Sequence, residues 1–314
     1  MKRLIVLTVA LLLMSHAADA QSGKQPFTLP SDSEQIDLWN AVMPDKGGSR
    51  GPEIISNKGS ITHISTPRLI VHRPQHSNGT AILVISGGGY AHIELGKESH
   101  PTASWLQSQG VTAFELIYRL PQKVWNTTSV PFEDAQRAVR LIRSMADQYG
   151  INPHKIGVLG FSAGGHLAGI TATLFNKKFY EPVDFIDSLS ARPDFAGLIY
   201  PVISMLPPNN KTHSLKSILG LHPTISQETA FSVERQVTAD TPPTFLAQAQ
   251  DDPVSPVQNS YLMNAALEKA DVPVEMHIFR SGDHGWGLGK PGTEVSEWPQ
   301  LFKSWAQRNG FWGK

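Results

Sequence analysis

The sequence predicts an α/β fold, with a mostly parallel central sheet and helices on both faces. Strand-like and helix-like segments alternate along the chain, the pattern of βαβ units. Two runs, at 81–85 and 156–159, are continuously apolar, as expected of strands covered on both sides. Polar, glycine-containing clusters directly follow several of the strand-like runs. That is the edge where open α/β sheets carry their sites.

In chain order, residues 21–60 are polar and rich in Gly and Pro, predicting an extended N-terminal arm. Strands are expected at 68–72 and 81–85, then a short helix at 101–109 and a strand at 111–116. Residues 132–149 have the clearest helical spacing. Ala135, Ala138, Val139, Ile142, Ala146 and Tyr149 line one face, and Gly150 follows as a stop. A strand at 156–159 leads to a helix at 163–175, and 195–200 is a further strand. Residues 201–242, with Pro207-Pro208-Asn209-Asn210, read as a long excursion over the C-terminal edge of the sheet. Strands at 244–248 and 274–279 and helices at 257–270 and 301–309 complete the chain. One domain over 21–314 is expected.

Gly160-Phe161-Ser162-Ala163-Gly164-Gly165 carries the most chemistry. A small-x-Ser-x-Gly run between strand and helix forces a tight turn, with glycines where a side chain would meet the neighbouring strand or helix. The turn presents one hydroxyl at a helix N-terminus, where negative charge is favoured. A serine hydroxyl needs a base, and the base needs an orienting carboxylate. The adjacent Asp251 and Asp252 follow the strand at 244–248, and His284 follows the strand at 274–279. Singly, these read as turn aspartates and a loop histidine. Falling in the order Ser, Asp, His, each after a strand, they read as a catalytic set. Upstream, Ser86-Gly87-Gly88-Gly89-Tyr90 ends the strand at 81–85. Its glycines can turn N–H groups toward one point, where an oxyanion needs donors. Gly88, Gly89 and the N–H of Ala163 are the expected donors. Tyr90 and Trp286 flank the pocket as candidate substrate contacts or core plugs. His166, His277, His213 and His222 read as structural or solvated.

Met1-Lys2-Arg3, the apolar run 4–14 and Ala18-Asp19-Ala20 have the three regions of a secretory signal peptide, with the mature chain starting near Gln21. The apolar run is too short for a membrane span, and no later stretch is long enough either. With no cysteine, disulfides and thiol catalysis are excluded. Lys and Arg total 27 and Asp and Glu total 27, so no charge excess points to nucleic acid or an anionic membrane. Asn78, Asn126 and Asn210 stand in sequons that matter only in a glycosylating host.

These residues resemble the α/β-hydrolase fold, and within it the bacterial carbohydrate esterases of the acetyl xylan esterase or xylanase-associated group. The resemblance rests on Ser86 to Tyr90, Tyr118-Arg119-Leu120, 131–140, 160–168, 192–205, 240–244, 251–260 and 272–288. It implies a mostly parallel sheet with helices on both faces. It also implies Ser162 as nucleophile, His284 as base and then acid, and Asp252, just before Pro253-Val254, as the orienting carboxylate. Asp251 is then a turn residue. The implied activity is hydrolysis of small acyl esters, acetyl above all, on xylan-type sugars, without metal or organic cofactor. The expected partner is an acylated oligo- or polysaccharide. Ser86 departs from a proline common in the group, Asp283 from a glycine, and Trp286 from a phenylalanine.

Other classes fit less well. A prolyl-oligopeptidase-type peptidase carries a propeller domain for which about 290 mature residues leave no room. A feruloyl or other carboxylesterase would share the same catalytic set. A non-catalytic carbohydrate-binding descendant would have lost one of its members, and none is lost. The leader-like segment makes a direct prediction. N-terminal sequencing of the native protein should return Gln21, and a sequence starting at Met1 or Lys2 would contradict export.

Overall fold

The computed structural model describes residues 26–29, 33–39, 42–45, 51–121, 125 and 127–313. The leader-like residues 1–20 and Asn126 lie outside them. Eight strands form the central sheet: β1 Gln35–Asp37, β2 Arg68–His72, β3 Ala81–Ile85, β4 Thr112–Ile117, β5 Ile156–Phe161, β6 Phe195–Ile199, β7 Thr244–Ala249 and β8 Val274–Phe279. Their order is β1-β2-β4-β3-β5-β6-β7-β8. β2 is antiparallel to both neighbours, and every pairing from β4 across to β8 is parallel. The helices are α1 His100–Ser108, α2 Val130–Ser144, α3 Ala163–Thr173, α4 His213–Leu219, α5 Ile225–Ala230, α6 Gln258–Lys269 and α7 Trp298–Arg308.

Alternation along the buried strands divides the core in two. Leu83 and Ile85 of β3 and Val158 of β5 face one layer, built with Ala135, Ala138, Val139 and Ile142 of α2, Leu167 of α3 and Met263 of α6. Ile82 and Val84 of β3 and Leu159 of β5 face the other, built with Leu106 of α1 and Phe302 and Trp305 of α7. This is why the central strands read as unbroken apolar runs. Both of their faces are covered.

Three differences from the sequence reading have local causes. The expected N-terminal arm contains β1 on the sheet edge, and Ser60–Thr62 pairs with Ile54–Ile55 on one side and Ile93–Glu94 on the other in a small antiparallel sheet. These strands of two or three residues are too short to show a period. The helix expected at 132–149 is α2 followed by a separate turn, Ala146–Tyr149, because Met145 leaves helical geometry at φ −100°, ψ 12°. The stop itself is as expected, with Gly150 left-handed at φ 61°. Finally, a π-helical turn, Leu95–Ser99, precedes α1. The 201–242 excursion folds into α4 and α5, the latter opened by a capping box between Thr224 and Gln227.

No helix among the described residues is long and apolar enough to cross a membrane. Phe302 is fully buried against Phe195, Phe245, Trp298, Trp305 and Trp312. Phe302→Ala should lower the unfolding free energy by about 3–5 kcal/mol. Urea denaturation checks this, and a loss below about 1 kcal/mol would mean that the α7 layer is not packed as described.

Candidate active site

The turn after β5 puts Ser162 at φ 52°, ψ −117°, left-handed backbone that a residue bearing a side chain rarely adopts. Three glycines make it possible. A Cβ at Gly160 would lie 2.1 Å from the carbonyl of Gly164, one at Gly164 2.2 Å from that of Ile85, and one at Gly165 2.8 Å from Pro201. The strained serine is bracketed by hydrogen bonds. Its N–H donates to Ile199 at 3.0 Å, and its carbonyl accepts from His166 and Val202 at 3.1 Å each. The side chain leaves at the N-terminus of α3.

Two loops bring the partners. Asp252, 6% exposed after β7, accepts the N–H groups of Val254 and Ser255 on Oδ1, both at 2.8 Å. Its Oδ2 accepts from Gln248 at 2.9 Å and from His284 Nδ1 at 2.7 Å. A proton held on Nδ1 by that carboxylate leaves Nε2 as an acceptor, and Nε2 lies 2.9 Å from Ser162 Oγ. Ser162, His284 and Asp252 are thus one hydrogen-bonded chain, with the geometry needed to draw a proton off a serine hydroxyl. Asp251 turns away. Its Oδ1 accepts the N–H groups of Gly282 and Asp283 at 2.9 and 3.0 Å, so it bonds across to the loop carrying His284 instead of within its own turn.

Gly88 and Gly89 line the same cavity as Ser162, of about 580 Å³, at φ 114° and 62°. Among the described residues their N–H groups have no protein partner, whereas the N–H of Gly87 is engaged by Glu98 at 2.6 Å. Ala163, the first residue of α3, has an N–H that intrahelical bonding leaves over. These are free donors beside a serine hydroxyl. The remaining wall mixes apolar Ala91, Val202 and Val254 with the polar side chains of Lys58, His92, Glu94, Lys97, Thr212 and His213. Part of the 201–242 excursion therefore forms one side of the cavity.

Tyr90 and Trp286 do not line it. Tyr90 is 1% exposed, because its hydroxyl is bonded to His166 Nδ1 at 2.8 Å beneath the glycine loop. Trp286 packs behind the cavity against Tyr200, Phe279 and Trp298. Of the two roles the sequence leaves open, Tyr90 takes the core plug and the half-buried Trp286 packs on the aromatic cluster, and neither lines the cavity. His166 is a packing residue as expected, donating to the Phe231 carbonyl at 2.8 Å, with burial pushing its pKa down to about 4. His277 pairs with Glu275 at the sheet edge, and His222 is exposed.

Two residues that the sequence reading missed hold the site together. Glu98, in the π-helical turn, is 3% exposed and lines the cavity. One of its oxygens accepts from Gly87 and the other from the Tyr200 hydroxyl at 3.0 Å. Burial pushes its carboxyl up to about 7 against the pull of those bonds and of His284. Tyr200, at φ 37°, also accepts the N–H of Gly287 at 3.1 Å and stands edge-on to the His284 ring at 5.0 Å. No spacing rule marks either residue, since the bond that joins them spans 102 positions of the chain.

The two aspartates predict different variants. Asp252→Asn removes the group that fixes the His284 tautomer and should lower kcat by something on the order of 10⁴ with the fold intact. Asp251→Asn keeps an amide oxygen to accept the two N–H groups, so rates should stay within about tenfold. Steady-state kinetics with circular dichroism decide, and exchanged behaviours would move the carboxylate role to Asp251.

The chain is similar to known proteins. The BD-FAE family model matches residues 69–267. Among curated proteins, the chain is 39% identical over 211 residues to endo-1,4-beta-xylanase B of Butyrivibrio fibrisolvens, covering 65% of this chain and 32% of that protein. It is 31% identical over 228 residues to acetylxylan esterase of Xylanibacter ruminicola, covering 71% and 44%. The chain therefore spans between a third and a half of the length of these relatives. Among solved structures, an acetyl ester-xyloside bifunctional hydrolase from Caldicellulosiruptor lactoaceticus superposes with a TM-score of 0.78 at 36% identity, over 93% of this chain and 100% of that one. An esterase of Thermogutta terrifontis, at 21% identity and a TM-score of 0.70 over 90% and 96% of the two chains, shares the fold. The chain belongs to the BD-FAE family and has the α/β-hydrolase fold.

Proposed function

We propose that this protein is an exported serine esterase that removes small acyl groups, acetyl above all, from xylan-derived sugars through an acyl-enzyme on Ser162. The observation that carries this reading is the continuous chain Asp252–His284–Ser162 opening onto a cavity with unpaired backbone donors. Ser162 Oγ attacks the ester carbonyl while His284 Nε2 takes its proton. The oxygen that becomes negative is met by the N–H groups of Gly88, Gly89 and Ala163, and each such donor is worth about 2.7–4 kcal/mol. His284 returns the proton to the departing sugar hydroxyl. A water activated by the same nitrogen then releases the acid and restores Ser162. The mechanism needs no metal or cofactor.

The names of the relatives support the substrate class, and the polar side chains along one side of the cavity support a sugar leaving group. Lys58, His92, Glu94, Lys97, Thr212 and His213 offer donors and acceptors for several hydroxyls. Residues 1–20 support export.

Two measurements test the reading. Ser162→Ala should fold normally and lose on the order of 10⁶ in kcat on 4-nitrophenyl acetate, and near-normal turnover would sink the assignment. Acetyl esters should be cleaved faster than octanoyl esters by kcat/KM, because each added methylene gains about 0.8 kcal/mol only where there is space to bury it. A preference for octanoyl would place the enzyme with lipid esterases.

A further inference from the structure

Glu115 is a carboxylate with no solvent exposure in the interior of β4. An uncompensated charge there is strongly unfavourable, so what surrounds it is informative. Antiparallel pairing sets His72 of β2 opposite Ala113, one diagonal step from Glu115 on the same face. α1 packs onto β4, and its first residue, His100, also reaches the carboxylate. Glu115 Oε1 lies 2.5 Å from His72 Nε2 and 2.9 Å from His100 Nδ1, and the three donor atoms all fall within 4.8 Å of one another. Ser99 Oγ donates to the other carboxylate oxygen at 2.8 Å.

We propose that His72, His100 and Glu115 form a binding site for a zinc-class divalent transition-metal ion, separate from the catalytic cavity. Two imidazole nitrogens and one carboxylate oxygen are a donor set of three-ligand zinc sites. Bonds of about 2.0–2.1 Å in tetrahedral geometry put ligand atoms about 3.3 Å apart. The two histidine–carboxylate spacings must open by less than about 1 Å to reach that, within the reach of side-chain torsions. Binding needs lone pairs on His72 Nε2 and His100 Nδ1. Each ring's proton then sits on its other nitrogen, and any excess proton goes to solvent, with no change of oxidation state. Ser99 keeps its bond to the far carboxylate oxygen and holds the ligand's orientation. A quarter of the His100 side chain is exposed, which leaves a way in. Imidazole donors favour Zn²⁺ and Co²⁺ over Mg²⁺ and Ca²⁺.

The ion would tie β2, β4 and the start of α1 together beside the π-helical turn. Ser99 N–H donates to Ser86 Oγ at 3.0 Å, and its neighbour Glu98 holds Gly87, so loading braces the base of the glycine loop. None of the three ligands lines the catalytic cavity. The proposal therefore stands whether or not the esterase reading does.

The test uses the untagged full chain, stripped with chelator and exchanged into buffer at pH 7.5. Calorimetric titration with ZnCl₂ should give one ion per chain and a rise in Tm, and CoCl₂ should give the intense visible absorption of a tetrahedral site. MgCl₂ should do neither. His100→Gln, at the partly exposed ligand, should keep the fold and abolish both signals, as should His72→Gln if it folds. His277→Gln, which removes a different His–Glu pair on β8, should bind as the wild type does. No stoichiometric uptake by the wild type, or undiminished uptake by His100→Gln, overturns the proposal.

Discussion

The strained backbone of Ser162 is the constraint on which the other parts of the site depend. A left-handed, non-glycine residue costs on the order of 1–3 kcal/mol and persists only where its surroundings allow no alternative. Here the surroundings are the parallel core. β5 is buried on both faces between β3 and β6, and α3 begins so close that glycine is required at 160, 164 and 165. Relaxing the turn would break the bonds to Ile199, His166 and Val202 together. The hydroxyl is therefore aimed by the sheet, not by the flexibility of a loop.

The other groups reach Ser162 by polar bonds that cross between loops. Asp252 is fixed by Val254, Ser255 and Gln248 before it meets His284. Asp251 holds the backbone of the His284 loop from the opposite side. Tyr200 links that loop to Glu98, and Glu98 links it to the glycine loop. Where these bonds are buried, at Asp252, Tyr200 and Glu98, each is stronger than in solvent, and losing one partner strands the other. Two adjacent aspartates thus serve different parts of one structure, and a residue on the π-helical turn sets the position of the glycine loop.

What the sequence made legible follows from the range of the forces. β3 and β5 were readable because burial on both faces leaves only apolar residues, and Gly150 because a left-handed helix stop favours glycine. The serine turn was readable because close packing demands its glycines. β1 was not, since its three residues are held by pairing with β2 and carry no pattern of their own. The same holds for Glu98 and Tyr200, polar or aromatic residues joined by a bond that spans 102 positions. For Tyr90 and Trp286 the sequence leaves two roles open, because an aromatic beside a glycine loop looks the same in sequence whether it faces the cavity or the core. The depth of the glycine loop over α3 decides in favour of the core for Tyr90, through its bond to His166.

The central claim is that the acyl group passes through Ser162. Acid quenching during turnover of 4-nitrophenyl acetate, followed by peptide mass spectrometry, tests it most directly. One acetyl group per chain is expected on the peptide containing Ser162 of the wild type, with none on the corresponding peptide of Ser162→Ala. Acetyl transfer to a different residue, or turnover with no acylated serine in the wild type, would contradict it.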